Sequence, residues 1–401
     1  MLKFFNLWTA LTLLLFYIGP IPWGNRDDPT IALYVLTCVA FFNFGARLFG
    51  RRLAFSSPVF KLNNGLQYFL IVLFIILSAE QVRILSGKSI FNPFDYSLEF
   101  GNIYEDFYKK SAEAEGGILA FLITIVKMSI FPLILYIFCE SLGKDWKKLA
   151  LIGFPFVASS LMRGTDKELM DLAILVFVAM FYKGMINRRT VALVLLLPLF
   201  LFLFLVRRVD RYGGYLPPCL ADRITCFDFQ GTLGSISPSL EILYVFITSY
   251  ITQGYYALGL TFGLDAEWGM GVGHLPPVKS VLCSNFDLGC TVRDYQYALD
   301  GIGWDPLAQW TSVYPILAND FTFYGVPFFF LVIGIVFRAA EAEWIKDRSI
   351  YSLCTLIIIT QFFIFSSANM QIAISVDWVV ATVVFLYVPI IRFVLFAAVR
   401  R

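Results

Sequence analysis

Ten apolar runs alternate with polar connections along this chain, most of them near the length that crosses a bilayer, and no water-soluble fold can surface such a pattern. They lie at about 4–23, 30–48, 66–85, 117–139, 149–162, 169–181, 190–206, 323–340, 351–366 and 372–391. A hydrocarbon core of about 30 Å takes about 20 helical residues, so the runs at 149–162 and 169–181 are expected to tilt or to end below one surface. Hydrophobic residues make up 59% of the 401 and the mean hydropathy is +0.74, values that belong to a bilayer. The expected fold is an all-α integral membrane protein of about ten transmembrane helices.

The positive charges orient it. Arg47, Arg51, Arg52 and Lys61 share one connection; Lys144, Lys147 and Lys148 the next alternate one; then follow Lys183, Arg188 and Arg189, then Lys346 and Arg348, then Arg392, Arg400 and Arg401. The positive-inside rule places these connections in the cytoplasm, with both ends of the ten-crossing chain. Cysteine spacing argues the same topology independently. Cys219/Cys226 and Cys283/Cys290 form two equally spaced pairs inside the one long polar stretch. They read as two small disulfide loops, which persist only in an oxidising space. The expected organisation is helices one to seven over 1–206 with an outer loop at 86–116, a large outer (periplasmic) segment at 207–321, and helices eight to ten over 322–401.

Two segments need a decision. The first run resembles a signal peptide but has no small-residue cleavage site before Pro20-Ile21-Pro22-Trp23, and the parity requires it as a helix. The apolar stretch 237–264 is long enough to cross, but crossing would put the two cysteine pairs on opposite sides. It is therefore expected as an interfacial amphipathic helix or a broken, re-entrant pair, with Tyr244, Tyr250, Tyr255 and Tyr256 at headgroup level. Cys38, Cys139 and Cys354 fall in apolar runs as packing residues.

Several basic residues sit where the positive-inside rule disfavours them: Arg163, Lys167, Arg207, Arg208, Arg211 and Arg293. Guanidinium groups held at an outer membrane edge suit a phosphate or pyrophosphate, against the simpler account of snorkelling to lipid headgroups. Asp27 and Asp28 in the first outer loop raise the question of a metal, but Asp28 before Pro29 has the pattern of a helix N-cap. One histidine cannot build a histidine-rich centre, and no haem, zinc, EF-hand or nucleotide-loop spacing is present, so neither a metal nor a cofactor is expected, nor a nucleic-acid partner. His274, in Gly271-Val272-Gly273-His274, and Asp320, just before the eighth run, are the candidate proton-transfer residues; Asp320 also suits an N-cap.

These features together resemble the O-antigen polymerases (Wzy-type), the membrane oligosaccharide repeat-unit polymerases of bacterial surface-polysaccharide synthesis. The resemblance runs from Arg163 to Gln371: Arg163-Gly164 through Asp171, Tyr250-Ile251-Thr252-Gln253-Gly254-Tyr255-Tyr256, Gly271-Val272-Gly273-His274, Trp310-Thr311 through Asp320 with Gly325, and Ala368-Asn369-Met370-Gln371. It implies a metal-independent glycosyltransferase of GT-C-like architecture in the bacterial inner membrane, with its site facing the periplasm. The implied donor and acceptor are undecaprenyl-pyrophosphate-linked glycans, membrane lipid surrounds the protein, and a chain-length regulator protein is a candidate partner. Arg163, Arg207, Arg211 and Arg293 would hold the pyrophosphate, and Asp320 or His274 would take the acceptor's proton. The alternatives are an O-antigen ligase, of similar topology, and a lipid-linked glycan transporter or flippase, against which the absence of an internal repeat counts.

Overall fold

The computed structural model describes residues 1–48, 62–92, 118–163, 167–186, 219–220, 225–226, 238–286, 288, 292–304, 311–368, 370, 373 and 375–399. In chain order the elements are α1 (Leu2–Ile18), α2 (Pro29–Leu48), α3 (Asn64–Ser86), α4 (Ile118–Ser141), α5 (Trp146–Arg163), α6 (Lys167–Tyr182), β1 (Cys219–Leu220), β2 (Thr225–Cys226), α7 (Pro238–Thr261), α8 (Pro276–Phe286), α9 (Tyr295–Asp300), α10 (Val313–Asp347), α11 (Ile350–Ile364), α12 (Val376–Thr382), a π-helical turn (Val383–Tyr387) and α13 (Val388–Val399). Apart from the two-residue antiparallel pair β1–β2, where Cys219 stands opposite Cys226, the described elements are helical. Cys283 is disulfide-bonded. Cys38, Cys139 and Cys354 are free and buried.

Four of the described helices are long and apolar enough to cross a membrane: Pro29–Leu48, Asn64–Ile84, Ala120–Ser141 and Val313–Asp347. Leu2–Ile18 and Ile350–Ile364 are apolar but shorter. In hydrocarbon every backbone polar group must be satisfied within the chain, which helices achieve, so this is a helical multi-pass membrane protein. The run at 190–206, most of the loop 86–116, Arg207, Arg208, Arg211 and Cys290 lie outside the described residues.

The chain divides into two compact units that interleave in sequence: Met1–Phe55 with Tyr215–Lys346 and Ile358–Arg401, and Ser56–Gly214 with Asp347–Ile357. In the second, α3 packs on α4 and α5, and α5 on α6. Asn63 caps α3 by accepting the Leu66 N–H at 2.8 Å, and Gly87, at φ 71°, ends it in the left-handed conformation glycine adopts freely. The buried Lys148 donates to Gln67 Oε1 at 2.6 Å and Asn64 Oδ1 at 3.0 Å, and Gln67 in turn donates to Glu140 Oε2 at 3.0 Å. That chain of partners offsets the cost of burying an ammonium group.

In the first unit α2 and α10 meet backbone to backbone. A Cβ on Gly45 would lie 2.1 Å from the Leu331 carbonyl oxygen, and one on Gly334 2.1 Å from that of Phe42. Small residues on both sides permit this approach, and dispersion over the close surfaces holds it where lipid removes the hydrophobic drive between helices. Around the crossing, Phe5 of α1 and Phe42 of α2 each pack on Phe363 of α11 with ring centroids 4.4 Å apart. Pro327 of α10 has no N–H to offer the Phe323 carbonyl four residues back; the Tyr34 hydroxyl of α2 donates to it instead, at 2.8 Å.

The segment 237–264 contains one unbroken helix, α7, rather than a broken pair. It crosses the connection between α1 and α2: Trp23 Nε1–H donates to Thr252 Oγ1 at 3.0 Å and Asn25 Nδ2–H to the Tyr256 carbonyl at 2.9 Å. Two of its tyrosines correct the expectation. Tyr255 and Tyr256 are turned into the protein, Tyr255 sharing a hydrogen bond with the Thr12 hydroxyl at 2.9 Å, because a phenol buried among apolar side chains needs a partner; Tyr244 remains exposed.

Replacing Gly334 by leucine forces α2 and α10 apart. We expect the detergent-solubilised protein to lose about 1–3 kcal/mol or more of stability, the usual cost of overpacking. Gly263→Ala, at a position with open space, should cost far less. Equal unfolding midpoints for the two variants would refute the close crossing.

Candidate active site

Between α7 and α8 the chain makes a tight loop, Gly269-Met270-Gly271-Val272-Gly273-His274, whose small residues are dictated by what it folds against. A Cβ on Gly269 would lie 2.7 Å from Asp320 Oδ1, and one on Gly273 2.8 Å from Asn319 Cβ. Gly271 adopts φ 80°, and Met270 adopts φ 57°, rare for a residue with a side chain. Asn319 fastens the loop: its carbonyl accepts the Gly269 N–H at 2.7 Å, and its side-chain Nδ2 donates to the Gly273 carbonyl at 3.1 Å and to Gln296 Oε1 at 2.6 Å. Asn319 Oδ1 accepts the Tyr295 N–H at 3.0 Å, tying in α9.

Asp320 is not an N-cap for the helix that follows. It lies inside α10, which begins at Val313 and breaks at Thr322, and its carboxylate turns back to the loop. Oδ1 accepts the Gly271 N–H at 2.8 Å; Oδ2 accepts the His274 N–H at 2.8 Å and meets His274 Nδ1 at 2.5 Å. Three donors on one carboxylate offset its burial, for the Asp320 side chain is 3% exposed and that of His274 9%. The break at Thr322 supplies the room: φ 58° and ψ 162° at a β-branched residue is a strained conformation, held by the structure around it.

A carboxylate can only accept, so its bond assigns a proton to Nδ1, and in the neutral imidazole the lone pair is then on Nε2. Nε2 takes no hydrogen-bond partner among the described residues. The Phe321 and Tyr387 rings stand against the imidazole with centroids 5.4 and 5.3 Å away. An imidazole oriented at Nδ1 by a carboxylate and free at Nε2 can accept a proton from a hydroxyl and hold the resulting charge next to that carboxylate.

Of the other candidates, Arg293 is described in the same unit. Arg293 exchanges backbone and side-chain bonds with Glu267, just before the loop: the Glu267 N–H donates to the Arg293 carbonyl at 2.8 Å and the Arg293 N–H to Glu267 Oε2 at 3.2 Å. Its exposed guanidinium lies over the Tyr297 ring at 5.8 Å and makes no ion pair among the described residues. Arg163 ends α5 in the other unit and its side chain is not described, so the convergence of four arginines falls outside what is described. Asp28 does cap α2, accepting the Thr30 N–H at 2.9 Å; hydrogen bonding by the Thr30 hydroxyl and amide holds its carboxyl below the usual range. Comparison with family models, with curated proteins and with solved structures gives no match.

His274 is the sole histidine of the chain, so the absorbance of ethoxyformyl-histidine after diethyl pyrocarbonate treatment reads out this residue alone. The expected result is one ethoxyformyl-histidine per chain, formed slowly at Nε2. Gly273→Val drives a side chain into Asn319 and should raise the rate by lifting the loop from Asp320. A rate unchanged by that substitution would contradict the packing described.

Proposed function

We propose that this protein is a glycosyltransferase of the bacterial cytoplasmic membrane that joins undecaprenyl-pyrophosphate-linked oligosaccharide repeat units at the outer face, as an O-antigen polymerase does. The observation that carries this reading is the His274–Asp320 pair at the break of a membrane helix, with Nε2 free. His274 is the base and Asp320 its orienting carboxylate, so the two candidates act as one unit rather than as alternatives. Nε2 takes the proton of an acceptor sugar hydroxyl while its oxygen attacks the anomeric carbon of the donor. The bond from that carbon to the pyrophosphate oxygen breaks, and its electron pair leaves with the pyrophosphate. Arg293, exposed beside the loop, and Arg163, Arg207 and Arg211 are proposed to receive the charge developing on that leaving group. A disulfide-bonded Cys283 near the same loop supports an oxidising, outer location. No metal enters this scheme.

The deciding experiment supplies purified protein in nanodiscs with lipid-linked repeat units. A ladder of polymer supports the proposal, a single product on lipid A core would make the protein a ligase, and neither would point to transport. His274→Gln should lower the polymerisation rate by roughly 10²–10⁴-fold with the fold intact, and Asp320→Asn should approach that loss. Arg211→Ala and Arg293→Ala should each cost on the order of hundreds-fold, while Asp27→Asn and EDTA change little. Full activity in both arginine variants would remove the pyrophosphate assignment, and activity lost with EDTA and restored by a divalent ion would restore a metal to the mechanism.

A further inference from the structure

The C-terminal rod from α12 to α13 contains a π-helical turn in which the Val388 N–H donates to the Val383 carbonyl, five residues back. The local cause is in the sequence: Pro389 sits in the next turn, and its ring excludes the carbonyl four residues before it, that of Phe385. Widening by one residue relieves the clash and rotates the helix on one side of the turn by about 100° relative to the other. Tyr387 ends the turn, and its ring faces His274 at 5.3 Å and Phe329 at 6.1 Å. Phe329 stacks on Phe321 at 5.0 Å, and Phe321 meets the imidazole from α10. Phe321 and Tyr387 stand against the imidazole and Phe329 backs both, Asp320 holds Nδ1, and the Nε2 edge is left.

Of these neighbours Tyr387 alone comes from another element. Asp320, Phe321 and Phe329 all ride on α10, and the loop carrying His274 is bonded to α10 through Asn319 and Asp320. The Tyr387 hydroxyl makes no hydrogen bond among the described residues, so it is the ring that meets the site. We propose that Tyr387, aimed by the π turn, is a positioning residue that keeps water from the Nδ1–Asp320 hydrogen bond and so keeps Nε2 the basic atom. A bare hydrogen bond between imidazole and carboxylate would exchange its proton with solvent and let the ring turn over; an aromatic wall prevents both. The inference rests on the geometry of the pair and is independent of which reaction the pair serves.

The test uses the full chain in nanodiscs with ¹⁵N-labelled histidine, where one residue gives one set of signals. The wild type should show a downfield Nδ1–H proton in slow exchange with water and an unprotonated Nε2, and Asp320→Asn should abolish the resonance. Tyr387→Phe should retain it, because the ring remains. Tyr387→Ala and Tyr387→Leu should lose it to fast exchange, with mixed tautomers, while circular dichroism and the unfolding midpoint stay near wild type. Two variants guard against one failing to fold. Wild-type exchange in both folded variants, or no slowly exchanging proton in the wild type, would overturn the proposal. A chain that keeps this pattern yet makes no polymer would refute glycosyl transfer and leave the role of Tyr387 standing.

Discussion

A carboxylate buried at the break of a membrane helix must find donors, and the architecture around Asp320 follows from that need. The donors come from a loop folded tightly enough to present two backbone N–H groups and one imidazole to the same two oxygens. That tightness requires glycine at 269 and 273, a left-handed backbone at 270 and 271, and an asparagine at 319 that fixes the loop from beneath. Removing the carboxylate would leave these groups without their common acceptor, and removing the loop would leave a buried charge without donors, at a cost of several kcal/mol either way. The fold of this region therefore turns on one residue.

The scaffold beneath makes this strain affordable. α10 is fixed below its break by the glycine-to-glycine crossing with α2 and by the phenylalanines of α1, α2 and α11. Tyr34 bridges the two regions, its hydroxyl serving the carbonyl that Pro327 leaves open directly after the strained Thr322. A rigid lower half lets the upper half hold a conformation that a free helix would relax.

Much of this was legible in the sequence, and the remainder has identifiable reasons for being hidden. Apolar period and length announced the membrane helices, Asp28-Pro29 announced a cap, and the polar motifs around His274 and Asp320 marked the two segments that the structure brings together. Their partnership was hidden because the two residues are 46 apart and meet only through the return of α10, whose kink falls at a threonine that carries no breaker signal. Asp320 before an apolar run has the pattern of a cap, and the carboxylate's preference for three loop donors overrode it. Tyr255 and Tyr256 were read as interfacial from residue type, whereas contacts with Thr12 and Trp23 draw them inward. Pro389 lies one turn beyond the π-helical distortion, whose consequence, the contact of Tyr387 with His274, depends on residues more than 100 apart in the chain.

The interleaving of the two units has a consequence for biogenesis. The unit containing the pair begins with α1 and α2, is interrupted by the residues of the other unit, and resumes with α7 to α10 before ending in the C-terminal rod. A ribosome delivers these parts in order at about 5–20 residues per second, so the early hairpin waits in the membrane for the partners that cover it. His274 and Asp320 precede Tyr387 in the chain, so closure around the imidazole waits until Tyr387 has emerged. A nascent chain thus completes the surroundings of this imidazole only after the described helices of the other unit have been made.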